Sequence, residues 1–172
     1  MSRVDIDSYH QMLAEAGFPY FVPDEICPRN ATGERRRRRD IPYLGDEENI
    51  LPTLRLAVEL RSRVGLPMNV IAACRKTGGA PGSKHITNCA LDLDLISSVR
   101  TRENYAMFWD ECARLFKLYG DSYKMGMGHY QNSPYRVHID TFSRARRVSW
   151  YHGPGGVKHK RTIAVYGASA AV

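Results

Sequence analysis

His85, Asp92 and His138 are of the types, and lie at the spacings, that could hold a catalytic metal ion. A catalytic zinc site takes three protein ligands and keeps a fourth position for water, and imidazole nitrogens with a carboxylate oxygen are suitable donors. One histidine in a loop, one aspartate on the strand which that loop enters and one histidine on another strand can converge on an ion. Spacing alone leaves a second reading open, in which His85 and Asp92 are a surface pair. Asp94 shares a strand face with Asp92, but two residues along a strand span roughly 6–7 Å. A structural or solvent-facing role suits it better than a place in the ligand set.

The elements that must position these residues can be read from hydrophobic spacing. Over 47–64, Leu51, Leu54, Val58 and Leu60 recur at helical intervals, with Asp46 as a candidate N-cap and Gly65 and Pro67 as the stop. The apolar run 68–74 predicts a buried strand, followed by a turn-rich loop over 76–82. Residues 89–95 alternate, with Leu91, Leu93 and Leu95 on one face and Ala90, Asp92 and Asp94 on the other, which predicts a half-buried strand. Tyr105, Phe108, Cys112, Leu115, Phe116 and Tyr119 form a second helical stripe, ending at Gly120. Residues 136–142 alternate again and place His138 and Asp140 on one face, with 148–151 as a partner strand. Past the glycines of 153–156, residues 162–166 read as a last edge strand before an Ala/Ser-rich tail that frays.

The first 45 residues contain a short helix over 8–16, an aromatic stretch over 18–23 and a run of arginines at 35–39 that reads as a loop. They are expected to form an arm of the same domain, with 46–172 as its body. The fold class expected is α+β: a small, mainly antiparallel sheet carrying the ligands, with helices 47–64 and 103–119 packed on it.

At 172 residues and 43% hydrophobic, the chain can bury one core but is short for two. Its 25 basic against 18 acidic residues give a formal charge of +7, which suits a polyanionic partner: nucleic acid, an anionic membrane or a cell wall. No nucleic-acid-binding motif accompanies the charge, so no specific nucleic-acid partner is expected. No stretch approaches the roughly 20 apolar residues of a membrane span, and acids stand where a signal peptide would place a basic and then an apolar run. Cys27, Cys74, Cys89 and Cys112 stand alone and read as free buried thiols. His152 and His159 read as solvated loop histidines, and the arginine run as a solvated loop with a capacity to grip phosphates. Trp150 and Tyr151 either line a cleft or cover the sheet.

Ser83, His85, Ala90 and Asp92 match in register the Ser-x-His-x-x-Gly-x-Ala-x-Asp signature of the zinc D-alanyl-D-alanine carboxypeptidases and L-alanyl-D-glutamate endopeptidases, which share a fold with the hedgehog signalling domain. Val137-His138-Ile139-Asp140, led in by Gly126 and Gly128, resembles that family's second signature strand, and the apolar strand ending at Arg75 resembles a third block. The likeness runs from about Glu47 to Trp150.

The resemblance implies that His85, Asp92 and His138 hold zinc. Arg75 would bind a substrate carboxylate or carbonyl and stabilise the oxyanion, and Ser83 would support the site by hydrogen bonding. The general base is open, because relatives supply an acid three residues before the last histidine and Tyr135 stands there. Asp140 is the first candidate and His129 the second. The alternative for Asp140 is a carboxylate that orients His138 from behind. Asn88 replaces the signature glycine, which is tolerable at positive φ because Asn enters the left-handed region readily.

The implied activity is hydrolysis of peptide bonds in peptidoglycan stem peptides, by a protein made in the cytoplasm that reaches the wall through a lysis system or as a phage virion component beside other virion proteins. The competing expectation is a virion, tail or wall-binding module that keeps the fold without turnover.

Overall fold

The computed structural model describes residues 1–75, 77 and 82–153, and the backbone of 158–160. Most of the expected loop 76–82, and all of the expected edge strand 162–166 and the tail, lie outside the described residues. Among the described residues six strands form one sheet: β1 (Met68–Ala72), β2 (Ala90–Leu95), β3 (Gly126–Tyr130), β4 (Ser133–Asp140), β5 (Val148–His152) and β6 (Lys158–Lys160). Their order across the sheet is β1-β2-β4-β3-β5-β6, and every neighbouring pair is antiparallel except β3 with β5.

The helical stripes become α4 (Leu51–Val64), preceded by a 3-10 turn over Glu47–Ile50, and α5 (Arg102–Tyr119). Both cover one face of the sheet. Leu54, Leu60, Phe108, Cys112 and Leu115 bury there with Leu91, Leu93, Leu95, Val137 and Ile139, each large side chain contributing roughly 1.5–3 kcal/mol. The opposite face of β2 and β4 carries Asp92, Asp94, Arg136, His138 and Asp140. The expectation of a half-buried β2 needs correction, because all six of its residues are buried. Asp94 is roofed by two arginines, Arg100 at 2.9 Å and Arg136 at 3.0 Å, and Asp92 by Arg75 at 3.1 Å. Paired guanidinium groups cover the carboxylates where water was expected, so Asp94 is structural and not solvent-facing.

The N-terminal arm contributes α1 (Ile6–Ala16), α2 (Pro23–Ile26) and α3 (Gly33–Arg38). Asp5 caps α1 by accepting from the Asp7 and Ser8 amides at 3.1 and 3.0 Å, which satisfies two amides that have no partner within the helix. The arginine run is a short helix and not the loop expected. Arg38 pairs with Glu34 one turn back, and Arg36 donates to the Pro28 carbonyl at 2.8 Å, so local partners hold the turn. Val4, Tyr9, Leu13, Phe21 and Ile26 join the main core. The Ala73 amide donates to the Arg38 carbonyl, and the Asp40 amide to the Cys74 carbonyl, both at 2.9 Å, which fixes the arm to the segment that leads to Arg75. All four cysteines are buried and free. No helix among the described residues is long and apolar enough to cross a membrane.

Candidate metal centre

Asp92 of β2 stands directly opposite His138 of β4 in the antiparallel register, and side chains of directly opposed residues are in contact range. His85 arrives from the turn that precedes β2. The Arg75 amide donates to the His85 carbonyl at 2.9 Å, and His85 Nδ1 lies 2.6 Å from the Ala73 carbonyl oxygen. Two backbone contacts thus pin the turn to the end of β1.

Asn88 completes that turn in the left-handed region, with φ 52°. Its side chain is buried, and its amide group donates to the carbonyls of Asp46 and Glu47 at 3.1 and 3.0 Å and contacts the Tyr9 hydroxyl at 3.2 Å. A glycine could take the same φ but not these bonds. The turn carrying His85 is therefore tied both to α1 and to the start of α4.

His85 Nε2 and His138 Nδ1 lie 3.2 Å apart, and Asp92 Oδ1 lies 3.4 Å from the first and 2.9 Å from the second. The tautomers follow from what lies behind each ring. A carbonyl faces His85 Nδ1, so the proton belongs there and the lone pair sits on Nε2. The Asp140 carboxylate oxygen Oδ2 faces His138 Nε2 at 3.1 Å, so Nδ1 carries the lone pair. Three lone-pair donors then point at one another in a buried space, an arrangement that requires a proton or a metal cation among them. His85, Asp92 and His138 form a group able to hold a metal ion.

The electrostatics agree with this geometry. Burial holds His85 below the ordinary imidazole value. Burial also opposes ionisation of Asp92, but the neighbouring His85 and His138 outweigh it and keep the carboxyl well below the usual range. For His138 the cost of burial is exceeded by hydrogen bonds to Asp140 and Asp92, which hold it above the ordinary value.

Asp140 sits behind the His138 ring. Its side chain is fully buried, and its oxygens accept from Arg144 at 2.8 and 2.7 Å, from Ser143 at 2.9 Å and from His138. Every direction it could reach is taken, so it orients His138 and does not face the cleft as a base. His129 pairs with Val137, whose side chain enters the core, and so lies on the helix face of the sheet. It packs on the rings of Trp109 and Tyr151 at 4.2 and 5.4 Å between centroids. A base at His129 is excluded by strand parity. Tyr135 has the same parity, with its ring against Tyr105 and its hydroxyl donating to the Thr101 carbonyl at 3.2 Å.

The centre opens onto a cleft of about 370 Å³ lined by Arg38, Arg75, Ser83, Lys84, Tyr130, Arg136, Arg144, Trp150 and His152 beside the three ligands. Arg75 reaches Asp92 Oδ2 at 3.1 Å, leaving Oδ1 for the centre. Spacing gave no hint of three of these residues. Tyr130 donates its hydroxyl to Asp92 Oδ1 at 3.1 Å, Arg144 secures Asp140, and His152 is on a strand facing the cleft instead of in a solvated loop. Their signals were the alternation Gly126, Gly128, Tyr130, the four-residue step from Asp140, and the alternation Trp150, His152. Trp150 is buried, with its ring 5.0 Å from that of His138 and lying over Gly128. The glycines of β3 are thereby explained: a Cβ at Gly126 would overlap the Asp140 carboxylate, and one at Gly128 the indole of Trp150.

No family model matches the chain, and no curated protein or solved structure matches it significantly.

Proposed function

We propose that this protein is a zinc-dependent peptidase that cleaves peptide bonds in peptidoglycan stem peptides. The convergence of two imidazole lone pairs and one carboxylate oxygen carries the reading. Ligand atoms bound tetrahedrally to zinc at roughly 2.0–2.1 Å lie about 3.3 Å from one another, and here the three separations are 2.9, 3.2 and 3.4 Å. Two nitrogens, one oxygen and an adjoining open cleft fit a catalytic zinc site better than a closed structural one. Zinc so held would polarise the scissile carbonyl and acidify an attacking water.

The chain's own residues supply the rest. Asp140 and Arg144 orient His138, Tyr130 and Arg75 orient Asp92, and the cationic side chains Arg75, Lys84 and Arg136 suit a substrate that carries free carboxylates, as stem peptides do. Likeness of three sequence blocks to the D-alanyl-D-alanine carboxypeptidases and L-alanyl-D-glutamate endopeptidases supports stem peptides as the substrate class. Action at the wall, through a lysis system or from a virion, follows from that likeness.

One observation favours a second reading, a wall-binding or virion module without turnover. Among the described residues, Asp92 is the only carboxylate lining the cleft, and it is a ligand. Metal analysis with wall digestion separates the two. About one zinc per chain, with digestion by wild type and none by His138→Ala, supports the peptidase. Zinc without cleavage supports the module, and absence of metal binding sinks both.

A further inference from the structure

We infer that His152 is the proton-carrying group of this cleft, an assignment that rests on the peptidase reading. Hydrolysis of an amide needs a group that takes a proton from the attacking water and returns it to the leaving nitrogen, and such a group works best with a pKa near the working pH. Asp140 is enclosed behind His138, and His129 and Tyr135 lie on the other face of the sheet.

The remaining cleft residues narrow the choice. Arg38, Arg75, Arg136 and Arg144 carry guanidinium groups and Lys84 an ammonium group, which offer donors and no acceptor. Tyr130 commits its hydroxyl proton to Asp92 Oδ1 at 3.1 Å, so it serves as a donor. Ser83 has no acid–base chemistry near neutrality. Apart from the two ligand histidines, His152 is the one described cleft residue whose side chain ordinarily titrates near pH 7.

Its placement follows from register. In the parallel pair, Trp150 lies beside Gly128 and His152 beside Tyr130, so both side chains rise on the face that carries His138. The His152 ring lies 5.2 Å from that of Tyr130, whose hydroxyl reaches Asp92 Oδ1. The imidazole is partly exposed, on the cleft wall beside the centre. There it can accept a proton as the water oxygen bonds to the carbonyl carbon. It then delivers that proton to the amide nitrogen as the C–N bond breaks, leaving one carboxylate and one amine product and a neutral imidazole once the acid product has ionised and the excess proton has passed to solvent.

The test uses the full chain loaded with zinc, purified peptidoglycan sacculi as substrate, and released amines as readout, for wild type, His152→Ala, His152→Gln and His152→Glu. Expected are unchanged zinc content, turnover lowered about 100-fold or more in the Ala and Gln variants, loss of the acidic limb of the pH profile, and partial recovery with Glu. Turnover within threefold of wild type with an unchanged pH profile overturns the assignment, as does loss of zinc from the variants. Wild-type protein that holds zinc and releases no amines defeats the peptidase reading, and this assignment with it.

Discussion

Asp140 holds the His138 ring from the side opposite the cleft, with Oδ2 3.1 Å from Nε2 and Arg144 bridging both carboxylate oxygens. The pairing fixes the tautomer and raises the basicity of the nitrogen that faces the centre. Asp140→Asn retains the volume and removes the charge. Zinc affinity should fall by about 10–100-fold in a chelator competition. Were Asp140 the general base, the variant would keep its affinity and lose turnover alone.

Burial between Trp109 and Tyr151 lowers the His129 value from 6.5 to about 4. The unfolded chain then takes up a proton near pH 6.5 that the folded chain refuses until about pH 4. Stability is full above the first value and is lost as pH falls through the second, by about 3 kcal/mol at most. In chelated protein, urea unfolding at pH 7.5 and 4.5 should give a smaller difference for His129→Phe than for wild type. An equal difference would remove His129 as the source.

Gly128 leaves room for an indole. A methyl group there would sit 2.5 Å from Trp150 Cε2, so Gly128→Ala should destabilise the fold by about 1–3 kcal/mol and shift the tryptophan emission. Adding Trp150→Leu should recover part of the loss, because the two changes share one contact. Simple additivity in urea unfolding would show that the strain lies elsewhere.

Asn88 combines a left-handed backbone with a buried amide that ties three segments together. Asn88→Gly keeps the backbone and loses the ties; Asn88→Ala loses both. Thermal unfolding should rank wild type above Gly and Gly above Ala, the last gap being about 1 kcal/mol. A glycine variant as stable as wild type would mean that the ties contribute nothing.

The ligand set follows from likeness to the signature blocks, whereas the faces that carry Asp92 and His138 were legible because alternation is local. Asp92 and His138 sit on strands whose leucines, valine and isoleucine alternate, and a period of two fixes which side chains share a face. The proton-handling candidates failed for the same physical reason. Gly126 and Gly128 weaken any strand signal, so β3 was unreadable and the parity of His129 was unknown. Asp140 has the predicted parity, but the arginine that encloses it comes from a loop whose path no pattern specifies. His152 was hidden because pairing with β3 in parallel depends on strand order, which side-chain spacing does not encode.

Gly126 pairs with both Asp140 and Val148, the last residue of β4 and the first of β5. Residues 141–147 must therefore step across the end of β3, and Ser143 and Arg144 meet Asp140 during that step. The orientation of His138 is thus not a property of the hairpin that contains it. It is completed only when the chain has passed over its own earlier strand, so a protein cut short after Asp140 would carry every ligand and still lack the serine and arginine that hold the carboxylate behind one of them.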